Sequence, residues 1–107
     1  MNYIGTIEHD RHLGDAAQIV IYGAGKVGKE TWEFLRKKGW KEKVVCFCDN
    51  NTDAQGKELQ GLPVFSLSEA CSRYPQGTYL IASLCVRQML ESLLGYGIET
   101  IHIIREH

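Results

Sequence analysis

The stretch Ile19-Val20-Ile21-Tyr22-Gly23-Ala24-Gly25-Lys26-Val27-Gly28 decides the fold. Its apolar residues in a row predict a buried strand, and the glycines after them make an intact G-x-G-x-x-G turn. Lys29 to Lys38 continues as helix, with Val27, Thr31, Phe34 and Leu35 at helical spacing, and Gly39 ends it. A second apolar run, Val44 to Cys48, stops at Asp49, about 20 residues beyond the last glycine. Strand, glycine turn, helix, strand and acid together predict a βαβ unit that holds a nucleotide through its pyrophosphate.

Each glycine has a physical task in such a unit. Gly23 permits the tight strand-to-helix turn, Gly25 lets the backbone approach the pyrophosphate, and Gly28 lets the helix pack closely on the sheet. The N–H groups of the first helical turn, at the positive end of the dipole, then hold the phosphates. Lys26 lies in that turn, where it either adds a point charge or faces solvent. Asp49 is placed to accept hydrogen bonds from both hydroxyls of an adenosine ribose and to repel a 2′-phosphate, which favours NAD over NADP. In that reading Asp49 serves the ligand and is dispensable for the unliganded fold. The competing reading of Asp49 is a cap on the Asn50-Asn51-Thr52 turn.

Outward from this unit, residues 1–17 form a polar lead-in arm and residues 18–107 the domain. Gln18 to Tyr22 is the first expected strand. Asp49 to Gly61, rich in Asn, Asp, Gln and Gly, is expected as a surface loop, and Leu62 to Phe65 as a third strand with Pro63 at an edge or start. Ser66-Leu67-Ser68-Glu69 is a capping box for a helix with Leu67, Ala70, Cys71 and Tyr74 on its apolar face. Pro75-Gln76-Gly77 stops it, and Thr78 to Ala82 is a fourth, buried strand. Val86, Met89, Leu90, Leu93 and Leu94 form a helical stripe expected to be core, closed by Gly95 and Gly97. Thr100 to Ile104 is the fifth strand. This alternation predicts the α/β class, with a parallel five-stranded sheet of order 3-2-1-4-5 between two helical layers. Ligands bind such sheets at the switch point, here Gly23 to Gly28 facing Ser83 to Val86.

At 107 residues the chain is one domain. Its 13 acidic and 12 basic residues give a net charge of −1, which leaves no basic field for nucleic acid or anionic lipid. Arg36-Lys37-Lys38 complements the dipole at a helix C-terminus. The N-terminus lacks a signal-peptide core and no apolar run approaches the ~20 residues of a membrane span, so a cytoplasmic protein is expected. The 4 cysteines make no C-x-x-C pair, and Cys46 and Cys48 alternate on one strand face as small hydrophobes, so no metal is expected. Tyr22 and Lys26 have a Tyr-x-x-x-Lys spacing, but they straddle the phosphate turn and are rejected as a catalytic pair. Cys85 has no histidine near it in sequence and is read as a small residue at the crevice.

Residues 18–104 resemble the Rossmann-like modules at the front of bacterial polysaccharide-biosynthesis dehydratases and sugar acyltransferases, and those of the redox-sensing Rex and CoA-binding proteins. The carrying residues are Gly23-Ala24-Gly25-Lys26-Val27-Gly28 and Phe47-Cys48-Asp49-Asn50-Asn51. Gly56-Lys57-Glu58-Leu59, Gly61-Leu62-Pro63-Val64, Tyr79 to Ser83 and Leu94 to Ile98 extend the likeness. The resemblance implies a three-layer Rossmann-like fold that binds NAD, with a UDP-sugar or CoA as alternatives. It implies ligand contacts from Gly23, Ala24, Gly25, Lys26, Val27, Gly28, Asp49 and Asn50, with Ser83 opposite. In the dehydratase and acyltransferase relatives a catalytic domain follows; none is expected after His107, so no catalytic residue is carried over. The expected function is thus a nucleotide-binding module without its own catalysis. The alternatives are a subunit or fragment of a nucleotide-sugar dehydratase, epimerase or acyltransferase, and a structural, oligomerising domain of CoA-binding type. Thr100 to Ile104, taken as an apolar outer strand, and the apolar helix stripe of Val86 to Leu94 on the same side predict a homodimer that buries one or the other, or a partner enzyme subunit; the N-terminal arm is the competing cover.

Overall fold

The computed structural model of the chain describes residues 3–6 and 11–103. In chain order they form β1 (Tyr3–Thr6), a 3-10 turn (Arg11–Asp15), β2 (Ile19–Tyr22) and α1 (Lys26–Lys37). A second 3-10 turn (Lys41–Lys43), β3 (Val44–Cys48), β4 (Glu58–Leu59) and β5 (Leu62–Phe65) follow. The chain closes with α2 (Leu67–Arg73), β6 (Thr78–Ile81), α3 (Val86–Gly95) and β7 (Thr100–Ile103).

All of β2 and β6 is buried, because each strand lies inside the sheet with helices on both faces. Alternate residues feed two cores, as the period of a strand requires. Val20, Tyr22, Cys46, Cys48, Tyr79 and Ile81 pack with Leu67, Ala70 and Cys71 of α2 and Leu93 of α3. Ile19, Ile21, Phe47 and Leu80 pack on the opposite face with Leu35 of α1 and Leu13 of the lead-in. The three expected layers are therefore present. Ser66 caps α2 as the capping box predicts, its hydroxyl accepting from the Glu69 amide at 3.1 Å.

The expected five-stranded, wholly parallel sheet is corrected in two places. The sheet has seven strands, it is mixed, and its order is β1-β7-β6-β2-β3-β5-β4. The five expected strands occupy its centre, and each end carries one more. At one end, Tyr3 to Thr6 pairs in parallel with Thr100 to Ile103. The lead-in is thus part of the sheet, and β7 is not an outer strand. Four residues are too few to show a period, so the arm carries no visible strand pattern. It is also pinned from below: Leu13 is fully buried and Lys43 Nζ donates to the Gly14 and Ala16 carbonyls at 2.8 and 2.9 Å.

At the other end, β4 turns the expected loop into a hairpin, antiparallel to β5. Gln60 and Gly61 both take positive φ, 54° and 77°, as a two-residue primed turn demands. Gln is an uncommon first residue for that turn, so the hairpin has no clear mark in the sequence. Pro63 is exposed and sits in β5, where the strand needs no N–H from it.

The stripe on α3 is less buried than expected. Leu93 alone in α3 is fully covered, Val86, Met89 and Leu90 are half-buried, and Leu94 is 38% exposed. Ile104, expected as the end of the fifth strand, lies outside the described residues.

Because β1 is the outermost strand at that end, it covers the apolar ladder of β7. Removing residues 1–10 uncovers it, and an uncovered apolar edge recruits another. The truncated chain is expected to associate at micromolar concentration in sedimentation equilibrium and to melt at a lower temperature. A truncated monomer as stable as the full chain would contradict this role for β1.

Candidate functional site

The site begins where β2 ends. The Gly23 amide donates to the Cys48 carbonyl at 2.8 Å and the Ala82 amide to the Tyr22 carbonyl at 2.9 Å, so β3 and β6 grip the turn from either side. Gly23 has φ +125°, and a Cβ there would stand 2.5 Å from the Ala82 carbonyl oxygen. A Cβ on Gly28 would overlap the Gly23 carbonyl oxygen. These two glycines are demanded by the fold itself. Gly25 is different: a Cβ built on it meets nothing within 4 Å.

α1 starts directly after Gly25, with no side-chain cap and no acid in its first turn. Its first intrahelical bond runs from the Lys29 amide to the Gly25 carbonyl at 3.0 Å. The amides of Lys26, Val27 and Gly28 precede that bond and have no partner within the helix. The positive end of the dipole is left without a carboxylate from its own turn, and Lys26 is exposed beside it. That combination attracts an anion.

Asp49 follows β3 and does two things at once. Its Oδ1 accepts from the Asn51 amide at 2.9 Å, which is the turn-capping role, and its Oδ2 accepts from the Ala24 amide at 2.8 Å, across to the glycine turn. A carboxylate has about four lone-pair positions, so about two remain for ribose hydroxyls. The two sequence readings of Asp49 are therefore compatible. The expectation that Asp49 is dispensable for the unliganded fold is corrected, because two charge-assisted bonds to backbone depend on it. Asn50 extends its amide Nδ2 to the Tyr22 hydroxyl at 2.6 Å. Burial raises the Tyr22 pKa, partly offset by the Asn50 hydrogen bond, so Tyr22 is a neutral phenol at the floor of the site.

Around these groups lies an open cleft of about 520 Å³ at the C-terminal ends of β2, β3 and β6. Gly23, Gly25, Lys26, Val27, Asp49, Asn50 and Ser83 line it, which brings most of the expected site residues together. Ala24 enters through its amide to Asp49, and Gly28 lies behind, sealed by packing. Leu84 and Cys85, within the expected Ser83 to Val86 segment, form the far wall, and Gln88 and Met89 of α3, which the sequence reading missed, extend it. Met89, expected in the core, packs against it and also lines this wall. The usable signal was position alone, since the first turn after the switch-point strand must face the glycine turn. The Tyr-x-x-x-Lys pair is split as expected, with Tyr22 buried and Lys26 exposed at the helix start.

Among the described residues no helix is long and apolar enough to cross a membrane. No protein-family model matches the chain, and no curated protein matches it significantly. The solved structures similar to it include UDP-D-quinovosamine 4-dehydrogenase from Vibrio fischeri, with TM-score 0.64 and 19% identity, over 85% of this chain and 80% of that one. They also include RSP in complex with β-NADH, with TM-score 0.65 and 15% identity, over 91% of this chain and 57% of that one. This chain thus spans little more than half the length of RSP. At such identities the likeness is one of fold: both neighbours share the Rossmann-like architecture of this chain.

Proposed function

We propose that this Rossmann-like chain is a nucleotide-binding module that holds NAD(H) by its pyrophosphate at the Gly23–Gly28 turn. The observation that carries the reading is Gly25. Gly23 and Gly28 are explained by packing, whereas Gly25 faces open cleft next to helix amides that make no intrahelical bond. The missing side chain there leaves the room that an incoming pyrophosphate needs. Asp49 supplies the ribose acceptors, Lys26 a cation beside the phosphates, and Asn50 and Ser83 polar edges on either side. The NADH complex of one structural neighbour supports this choice of ligand.

A second occupant, a UDP-sugar, is favoured by the other neighbour, which is a UDP-sugar dehydrogenase, and shares the pyrophosphate chemistry. In that reading the chain serves a nucleotide-sugar-modifying enzyme, and CoA is a third pyrophosphate ligand of the same class. Thermal unfolding with NAD(H), NADP(H), UDP-sugars and CoA separates them. A ligand at a hundred times its Kd adds about 2.7 kcal/mol to the native state. For a domain of this size that is a rise of roughly 10 °C in Tm. NAD(H) is expected to give the largest rise and NADP(H) a smaller one. Flat traces across the panel at millimolar ligand would remove the proposal.

A further inference from the structure

The glycine turn hangs from the end of β3 by two hydrogen bonds. One is between backbones, Gly23 N–H to the Cys48 carbonyl. The other is from Ala24 N–H to Asp49 Oδ2, and it is the last restraint before the open residue Gly25. Asp49 is itself held on every side. Its amide donates to the Phe65 carbonyl at 3.0 Å, its carbonyl accepts from Gln55 Nε2 at 2.9 Å, and its second carboxylate oxygen is held by the Asn51 amide. A side chain so fixed sets the plane of the Gly23–Ala24 peptide, and that plane sets where the next amides point.

We propose that Asp49 is a positioning residue for phosphate recognition: through the Ala24 amide it aims the turn at the ligand's phosphates, apart from any contact with ribose. The inference rests on the reading of the turn as a pyrophosphate site. It makes a prediction of opposite sign to simple electrostatics. Asp49 places a negative charge near a site for an anion, so neutralising it should tighten anion binding if charge were all that mattered. If Asp49 positions the turn, neutralising it weakens binding even of a ligand that has no ribose.

The probe is inorganic pyrophosphate, titrated at 25 °C against the full chain and followed by the amide resonances of Gly25 to Gly28. The variants are Asp49→Asn and Asp49→Ala. An asparagine amide has one acceptor oxygen and cannot accept from both Ala24 and Asn51 in the same geometry. Ile101→Val, in the core of β7 away from the turn, is the control for a general loss of stability. Asp49→Asn is expected to raise the pyrophosphate Kd roughly five- to tenfold and to speed hydrogen exchange of the Ala24 amide in the ligand-free protein by a similar factor. Ile101→Val is expected to bind like wild type. Equal or tighter binding of pyrophosphate by Asp49→Asn would overturn the positioning role and leave the site intact. No response from the wild-type turn at millimolar pyrophosphate would overturn the phosphate-binding reading, and this inference with it.

Discussion

Gly28→Ala is expected to destabilise the protein by about 3 kcal/mol or more, while Gly25→Val costs the fold about 1 kcal/mol at most and abolishes nucleotide binding. The two glycines sit in one motif, three residues apart, and the geometry around them differs completely. At Gly28 the new methyl would overlap the backbone oxygen of Gly23, with the Phe47 ring behind it. Neither neighbour is the free end of a flexible side chain, so the helix must lift from the sheet. At Gly25 φ is negative, −95° with ψ −151°, and the added carbons enter open cleft. Stability is read by chemical denaturation and binding by calorimetric titration. Gly25→Val binding like wild type would place the ligand elsewhere, and Gly28→Ala melting like wild type would contradict the close approach of α1.

Alkaline unfolding is the second large effect. Cys46, Cys48 and Cys71 line one buried core with Tyr79, whose pKa burial also raises. Burial lifts the Cys46 thiol to about 12, and it lifts those of Cys48 and Cys71 as well. In the unfolded chain thiols lose their protons near pH 8.5. Above that pH the unfolded state sheds protons that the folded state keeps, so stability that is whole below pH 8.5 is lost as pH rises towards the folded values. Each such thiol removes up to about 1.4 kcal/mol per pH unit within the window. With the three acting together, stability is expected to fall more steeply above about pH 8.5 than one thiol alone would make it. Urea denaturation at each pH checks the slope, and Cys46→Ala should flatten it by one thiol's share. A Cm that is constant from pH 8 to 11 would contradict the buried thiol core. The same burial limits thiol reagents: Cys85 is exposed and should react at once, the other three only on unfolding.

Much of the central fold was legible because its physics is local. The run Ile19 to Tyr22, the spacing of Val27, Thr31 and Leu35, and the Ser66 cap each specify their element within a few residues of chain. The unread parts depended on contacts that no local pattern carries. Tyr3 to Thr6 becomes a strand because Thr100 to Ile103 offers it a parallel ladder across nearly the whole sequence. Glu58–Leu59 becomes one because Gln60 accepts a left-handed backbone. At the site, the glycine turn and Asp49 were evident from their spacing, yet the bond between Asp49 and Ala24 was not, since it spans 25 residues and a turn. The place of Met89 in the cleft wall was hidden by amphipathicity: a half-buried helix stripe looks the same whether it faces core or cleft. Leu84 is 76% exposed, an apolar residue at the rim that the protein's own packing does not use.

Amide chemical-shift mapping with NADH tests whether a nucleotide pyrophosphate lies on the amides at the start of α1. The expected result is saturable movement of the resonances of Gly25, Lys26, Val27 and Gly28, with Asp49, Asn50 and Ser83 following the same isotherm, and none of these in Gly25→Val. Shifts confined to other surfaces, or none at millimolar NADH or UDP-sugar, would contradict it.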